Sequence, residues 1–224
     1  MTFFQLLLSL SAAVSAGALI LSEILEHLIL VYIFKPLTMV LIITLALTGM
    51  SRSRRLYGYT VLLGLLFSLA GDILLMLPSK LFLQGLISFL IAHIFYILAF
   101  SRGLRFRLKN SSWLPFLLFG FVVYGFMLPS LGEMTLPVLA YMMIILVMGW
   151  RAYEQWSQRK SRGAWWAFIG AVLFIISDTA LGINRFRLPF EGSTLAVLGT
   201  YFPAQWFIAM SVVWGDRDIE NQGY

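Results

Sequence analysis

Eight long apolar runs constrain the fold of this chain more than any other feature of its sequence. A helix that crosses a membrane needs about 20 mostly apolar residues. Backbone polar groups in lipid must be paired within the protein, so spanning segments are helices or closed barrels. A barrel needs alternating strands of about ten residues, and none of these runs alternates. The runs cover residues 3–22, 30–50, 57–77, 81–101, 113–131, 134–150, 164–184 and 194–214.

These runs predict an all-α, polytopic membrane bundle of about eight transmembrane helices. The composition agrees, because 60% of the 224 residues are hydrophobic and 12% are charged, against about 45–50% and about 25% in soluble domains. We expect a single integral membrane domain over residues 1–224. The absence of cysteine excludes disulfides and thiolate metal sites. Only two histidines are present, so we expect neither a metal nor a cofactor.

The basic residues are distributed unevenly between the two ends of the predicted helices. A net charge of +6 is compatible with nucleic-acid binding, but short basic clusters between apolar runs are typical of membrane topology signals. Twelve basic residues fall on one side, in residues 51–55, 102–109 and 151–162 and at Arg217. The other side has three, Lys80, Arg185 and Arg187. The positive-inside rule therefore predicts that both termini are cytoplasmic.

Four ionisable side chains lie inside the predicted spans: Lys35, Asp72, His93 and Asp178. Such residues are costly in lipid and indicate function. Asp72 lies fifteen residues from the cytoplasmic start of its span, about 22 Å at 1.5 Å per residue, and Asp178 lies at nearly the same depth. All four fall between the middle of the bilayer and its outer surface. One shared cavity is therefore possible.

Uncharged polar residues occur at compatible depth. Tyr96 follows His93 by three residues, and Tyr201 and Gln205 are four apart, so each pair shares a helical face. Asn184 lies near the outer end of the seventh span. Four of the predicted binding residues also have a structural alternative: Lys35 could snorkel to the interface, Tyr96 and Tyr201 could be core aromatics, and Gln205 could bridge two helices.

The same residues carry a resemblance to the YhhN family of membrane proteins. The similarity covers the second to eighth spans in order, and the order and spacing of short motifs give it specificity. The matching pieces are Lys35-Pro36, Phe67-Ser68, Gly71-Asp72, Phe82-x-x-Gly85, Phe89-x-x-Ala92-His93-x-x-Tyr96, Gly170-Ala171-x-x-Phe174-x-x-Ser177-Asp178, Asn184, Tyr201 and Gln205.

The resemblance implies an eight-span enzyme that hydrolyses the vinyl ether bond of lysoplasmalogens. The products would be a fatty aldehyde and glycerophosphoethanolamine or glycerophosphocholine. A related ether lipid is an alternative substrate. The resemblance also implies location in a bacterial inner membrane. The expected partners are thus a lysophospholipid substrate and the bilayer, with no nucleic acid. The sequence does not predict an oligomeric state.

Vinyl ether hydrolysis needs an acid that protonates the alkene carbon and a carboxylate that activates water. Two carboxylates in one low-dielectric site do not both ionise readily, so one is expected to hold a proton. We predict that Asp72 and Asp178 form this acid–base pair, with His93 assisting protonation or orienting one carboxylate. Substrate-binding roles are predicted for Lys35, which suits the lipid phosphate, and for Tyr96, Asn184, Tyr201 and Gln205, which would position water and the glycerol hydroxyl.

Two alternatives fit the same residues. Intramembrane acids beside a histidine also describe the proton relay of a small proton-coupled transporter. Metal-assisted hydrolysis is possible too, but an Asp/Asp/His set is unusual for zinc. The sequence does not decide which aspartate is the acid.

Overall fold

A computed structural model describes residues 1–51, 54–77, 81–104 and 111–215 of the protein. Within these ranges it contains eight α-helices and no β-strand. The helices are α1 (Phe3–Ile24), α2 (Leu28–Thr48), α3 (Arg55–Met76), α4 (Phe82–Ser101), α5 (Leu114–Met127), α6 (Thr135–Arg159), α7 (Arg162–Gly182) and α8 (Ser193–Gly215). All eight, taken with their short flanking turns, are long and apolar enough to cross a membrane, which confirms the predicted fold class.

Helix boundaries follow local polar signals. The Thr2 hydroxyl accepts from the Gln5 backbone N–H while the Gln5 side chain accepts from the Thr2 N–H, a capping box that starts α1. Ser161 caps α7 by accepting from the Ala164 N–H at 3.2 Å. Lys160 adopts a left-handed conformation with φ of 52°, so α6 ends there.

The helix limits differ from the predicted runs mainly in the fifth and sixth spans. α6 continues to Arg159, nine residues past the predicted end. The prediction followed the apolar run, which ends earlier because the last two turns of the helix contain polar residues. α5 is shorter than predicted and is followed by two 3-10 turns, Leu128–Ser130 and Gly132–Met134. The seventh span ends in a π-helical turn, Ile183–Arg187.

The closest packing is between α7 and α8, followed by α3 against α4 and α1 against α2. Glycines permit this approach. A Cβ on Gly170 would lie 2.8 Å from the Ala204 carbonyl oxygen, and one on Gly163 would lie 2.8 Å from the Gly215 Cα. α8 is the most buried helix and α5 the least. Large side chains such as Phe121 and Leu136 are about three-quarters exposed, as expected of surfaces that face lipid chains.

Part of the charge asymmetry falls outside the described residues. Arg52, Lys80, Arg105, Arg107, Lys109 and Arg217 lie there. The orientation of the termini therefore stays a prediction. The outer end of the bundle is defined as the end where α3 and α7 terminate and α4 begins. The positive-inside rule places this end away from the cytoplasm.

Candidate active site

The first carboxylate, Asp72, belongs to a buried pair near the outer end of α3. Its side chain is 3% exposed, and the Tyr201 hydroxyl of α8 donates to its Oδ2 at 2.6 Å. Lys35 on α2 is close enough for its charge to act on Asp72. The preceding Gly71 lets α4 approach, since a Cβ there would be 2.7 Å from the Phe89 ring. The predicted residues Lys35, Asp72 and Tyr201 are thus brought together.

The second carboxylate, Asp178, has a different tyrosine partner. The Tyr141 hydroxyl of α6 donates to Asp178 Oδ2, which leaves Oδ1 as the oxygen available to other groups. Asp178 is half-buried, whereas Tyr141 is 8% exposed. Tyr141 is absent from the sequence prediction. It lies in the outer half of the sixth span, at a depth similar to that of Tyr201. Depth along the span could therefore have identified Tyr141 as well.

His93 lies beside the second pair and is fully buried. Its ring packs edge-on against Phe174 at 4.6 Å and Tyr141 at 5.2 Å between ring centroids. Neither ring nitrogen has a hydrogen-bond partner among the described residues. An unpaired buried polar group is costly and calls for a functional or structural reason. His93 is therefore placed beside the Tyr141–Asp178 pair without touching either carboxylate through a hydrogen bond.

Tyr96 and Gln205 form a separate link between α4 and α8. The Tyr96 hydroxyl donates to Gln205 Oε1 at 2.8 Å, and Ser68 lies 3.5 Å from the same hydroxyl. Both side chains are fully buried. Gly64 accommodates the ring, because a Cβ there would clash with Tyr96. The second amide atom, Gln205 Nε2, has no partner among the described residues.

Asn184 is placed apart from the buried cluster. It lies in the π-helical turn after α7, and its Oδ1 accepts from the Phe190 backbone N–H at 3.2 Å. This bond shapes the loop that leads into α8. The bond occupies one lone pair of Oδ1, so the proposed contact of Asn184 with a glycerol hydroxyl stays a prediction.

A narrow, mostly apolar cavity opens beside Asp178, with a volume of about 60 Å³, below the usual range of about 300–1,000 Å³ for ligand sites. Its walls come from α3 to α7 and the π-helical turn. They extend from Phe82, Met127 and Phe186 at the outer end to Phe119, Ile145 and Leu146 deeper in the bundle. Of the described residues in the walls, Asp178 alone is charged.

The two carboxylates approach each other without sharing this cavity. Their charges interact, but Asp72 is not among the described wall residues. Aromatic rings stand between the pairs: the Tyr201 ring packs against Phe174 at 5.4 Å and against Phe89 at 5.9 Å, and Phe89 forms part of the cavity wall. The site therefore has one carboxyl group facing the cavity and one behind an aromatic partition.

The polar side chains of the site do not form a cluster suited to a metal ion. Among the described residues, no group of three histidine, cysteine, aspartate or glutamate side chains is close enough to hold one. Asp72, Asp178 and His93 lie in one region, but each faces a different neighbour. The arrangement suits proton transfer to a ligand in the cavity.

Comparison with known proteins identifies relatives of this chain. It is 33% identical over 166 residues to the lysoplasmalogenase TMEM86A of Bos taurus, covering 72% of this chain and 68% of that protein. It is 33% identical over 159 residues to the human lysoplasmalogenase TMEM86B, covering 70% and 65%. It is 29% identical over 181 residues to the uncharacterized membrane protein YhhN of Escherichia coli O157:H7, covering 81% and 86%. No solved structure matches the chain significantly.

The family profile gives the broadest match. It covers residues 30–212, a range that includes all of the buried polar side chains described above. The range begins within α2 and ends within α8, so seven of the eight helices contribute. On this match, and on the identity to the three relatives, the chain belongs to the YhhN family.

Proposed function

We propose that this protein is a membrane-embedded hydrolase that cleaves the vinyl ether bond of lysoplasmalogens with ethanolamine or choline headgroups. The products are a fatty aldehyde and the corresponding glycerophospho-alcohol. One observation carries the proposal: Asp178 is the one carboxyl group among the described residues that line a mostly apolar cavity enclosed by α3 to α7. The names of the TMEM86A and TMEM86B relatives support the substrate class.

The first step is protonation of the alkene carbon that lies away from the ether oxygen. We assign the proton to Asp178, because Asp72 has Lys35 as a compensating cation and no described cation pairs with Asp178. Two interacting carboxylates do not readily ionise together. The alkene electron pair takes the Asp178 proton, and an oxocarbenium ion forms beside the carboxylate that remains. The low-dielectric cavity strengthens the attraction between these opposite charges.

The second step is attack of water on the oxocarbenium carbon. Asp178 accepts the proton that the water releases, which gives a hemiacetal and restores the acid. The hemiacetal then loses its hydroxyl proton while the ether oxygen gains one, the carbon–oxygen bond breaks, and aldehyde and alcohol separate. One carboxyl group thus alternates between acid and base, as in retaining glycosidases.

The remaining predicted residues support this centre. The negative charge of Asp72 acts on Asp178, and the Tyr201 hydroxyl fixes the orientation of the Asp72 carboxylate. His93 does not form part of the cavity wall, so we assign it a positioning role through its contact with Tyr141. Tyr96 and Gln205 hold α4 to α8 beside the site.

We further propose that the chain forms one integral membrane domain over residues 1–224 in a bacterial inner membrane, with both termini cytoplasmic. The uneven distribution of basic residues supports this orientation. The cavity then opens toward the outer leaflet, where it can receive a lysolipid whose headgroup stays at the surface.

The decisive experiment is incubation of the purified protein with an alkenyl lysophospholipid and trapping of free aldehyde. The matched control substrate is the saturated alkyl lysophospholipid, which lacks the double bond that takes the proton. We expect aldehyde from the alkenyl substrate alone, and its loss in Asp178→Asn. If Asp178→Asn keeps wild-type turnover, the mechanism is wrong.

A proton-coupled transporter is the second candidate, favoured by the unpaired nitrogens of His93, whose ring packs against Tyr141, the hydrogen-bond partner of Asp178. Such a set also describes a proton relay. Proteoliposomes with a pH gradient separate the two functions. Proton flux that depends on Asp72 and Asp178, with no aldehyde from any alkenyl substrate, would favour the transporter.

A further inference from the structure

Two arginines stand at the outer rim of the apolar cavity. Both belong to the π-helical turn Ile183–Arg187 that continues α7, and both side chains are exposed. π-helical turns are rare and occur often at functional sites. The neighbouring Phe186 and the preceding Gly182 form part of the cavity wall. The turn therefore places Arg185 and Arg187 beside the cavity mouth.

The two guanidinium groups each lie over an aromatic ring of a different helix. Arg185 lies 4.9 Å from the ring centroid of Phe82, a wall residue at the start of α4. Arg187 lies 5.5 Å from the Phe126 ring of α5 and donates to the Ser130 hydroxyl at 3.1 Å. Neither guanidinium forms an ion pair with a carboxylate in the part of the chain that the structure describes. Their charge is thus available to an anion.

The spacing along α7 matches a lysolipid. Arg185 follows Asp178 by seven residues, about 10 Å along a helical axis. The vinyl ether of a lysoplasmalogen is separated from its phosphorus by about six bonds, or about 8 Å when extended at bond lengths of about 1.5 Å. In the other direction, Ile175 lies one turn deeper than Asp178 and lines the apolar part of the cavity. Tail, vinyl ether and phosphate therefore fall in order along one helix.

We propose that Arg185 and Arg187 bind the phosphate of the lysolipid headgroup and thereby set the vinyl ether beside Asp178. The inference rests on the proposed function. It assigns the phosphate to the cavity rim rather than to Lys35, whose charge acts on Asp72 and which is not among the described wall residues. Guanidinium groups suit phosphate because their planar donors form paired, charge-assisted hydrogen bonds.

The test compares two substrates that differ in the phosphate alone: an alkenyl glycerophosphocholine and the alkenylglycerol without the headgroup. The double variant Arg185→Gln/Arg187→Gln should raise KM for the first about tenfold or more, as loss of charge-assisted hydrogen bonds predicts. Turnover of the alkenylglycerol should be unchanged, which also shows that the variant is folded. The matched control is Lys35→Gln.

Two results would overturn the inference. One is an unchanged ratio of kcat/KM for the two substrates in the double variant. The other is loss of the phosphate preference in Lys35→Gln with the arginines intact.

A binding measurement separates this inference from the proposed function. The saturated alkyl glycerophosphocholine is not cleaved, so its Kd reports headgroup binding without chemistry. Weaker binding in the arginine variant, with no aldehyde from wild type on any substrate, would reject the hydrolase and retain the phosphate site. Aldehyde from wild type with equal Kd in both proteins would retain the hydrolase and reject the phosphate site.

Discussion

The Tyr141 hydroxyl of α6 donates a hydrogen bond to Oδ2 of Asp178 on α7. This bond joins two neighbouring helices and fixes the one carboxyl group that faces the apolar cavity. It holds one oxygen and leaves the other to meet a ligand. Tyr141 therefore positions the proposed acid relative to the cavity, although α6 itself contributes no charged side chain at this depth.

Tyr141→Phe should lower kcat for the alkenyl lysophospholipid about tenfold or more, with a smaller change in KM. The reason is that Asp178 becomes charged as it gives up its proton, and a hydrogen bond to a charged group is worth about 1.5–3 kcal/mol. Steady-state aldehyde release measures the effect. Tyr124→Phe is the control, since the Tyr124 hydroxyl donates to the Thr135 carbonyl outside the cavity. Equal kcat in wild type and Tyr141→Phe would contradict the assignment.

Lys35 and Asp72 should be energetically coupled. Removing one member of a charge pair in lipid leaves the other uncompensated, whereas removing both does not. We expect the decrease in melting temperature of the double variant Lys35→Gln/Asp72→Asn, measured in detergent, to be smaller than the sum of the decreases in the two single variants. Strict additivity of the three changes would mean that the two charges do not stabilise each other.

A bulkier residue in the deep part of the cavity should shorten the preferred alkenyl chain. Ile175→Phe adds volume one turn below Asp178, where the proposed tail lies. Relative kcat/KM for long chains over short chains should fall severalfold, because overpacking costs about 1–3 kcal/mol. Val147→Phe, in a neighbouring groove between α5 and α6, is the matched control. The same chain-length profile in both variants would place the tail elsewhere.

The cysteine-free sequence allows a direct test of orientation. Glu191 precedes α8 at the outer end and Lys160 follows α6 at the other end, and both side chains are exposed. In intact spheroplasts, an impermeant maleimide should label Glu191→Cys and spare Lys160→Cys until the membrane is opened. The reverse pattern would invert the proposed topology and move the cavity mouth to the cytoplasmic leaflet.

Gly170→Val should destabilise the bundle strongly. Its Cβ would lie 2.7 Å from Ile208 Cγ1 and 2.8 Å from the Ala204 carbonyl oxygen, so α7 and α8 would have to separate. We expect a lower melting temperature, consistent with an overpacking cost of about 1–3 kcal/mol or more. Gly125→Val on α5 has no neighbour within 4 Å and should change the melting temperature little. Equal effects would show that the α7–α8 contact is looser than described.

Several features of the site were predictable from the sequence, because depth in a membrane follows from position along a span. Asp72, Asp178 and His93 were placed at one level, and the structure brings them into one region. The hydrogen bond between Asp72 and Tyr201 is compatible with the similar depth of the two residues, but depth alone does not predict that they form it. Tyr141 satisfied the same criterion, yet nothing in its position showed which carboxyl group it meets.

The sequence by itself determined the number of helices and their class, because long apolar runs and internally paired backbones depend on local composition. Only the tertiary structure decided which faces meet. Helix rotation and spacing depend on contacts between distant residues, such as Gly71 against Phe89 and Gly170 against α8. Those contacts bring the Phe174 ring against both His93 and Tyr201. They leave Asp178 facing the cavity and Asp72 behind the partition.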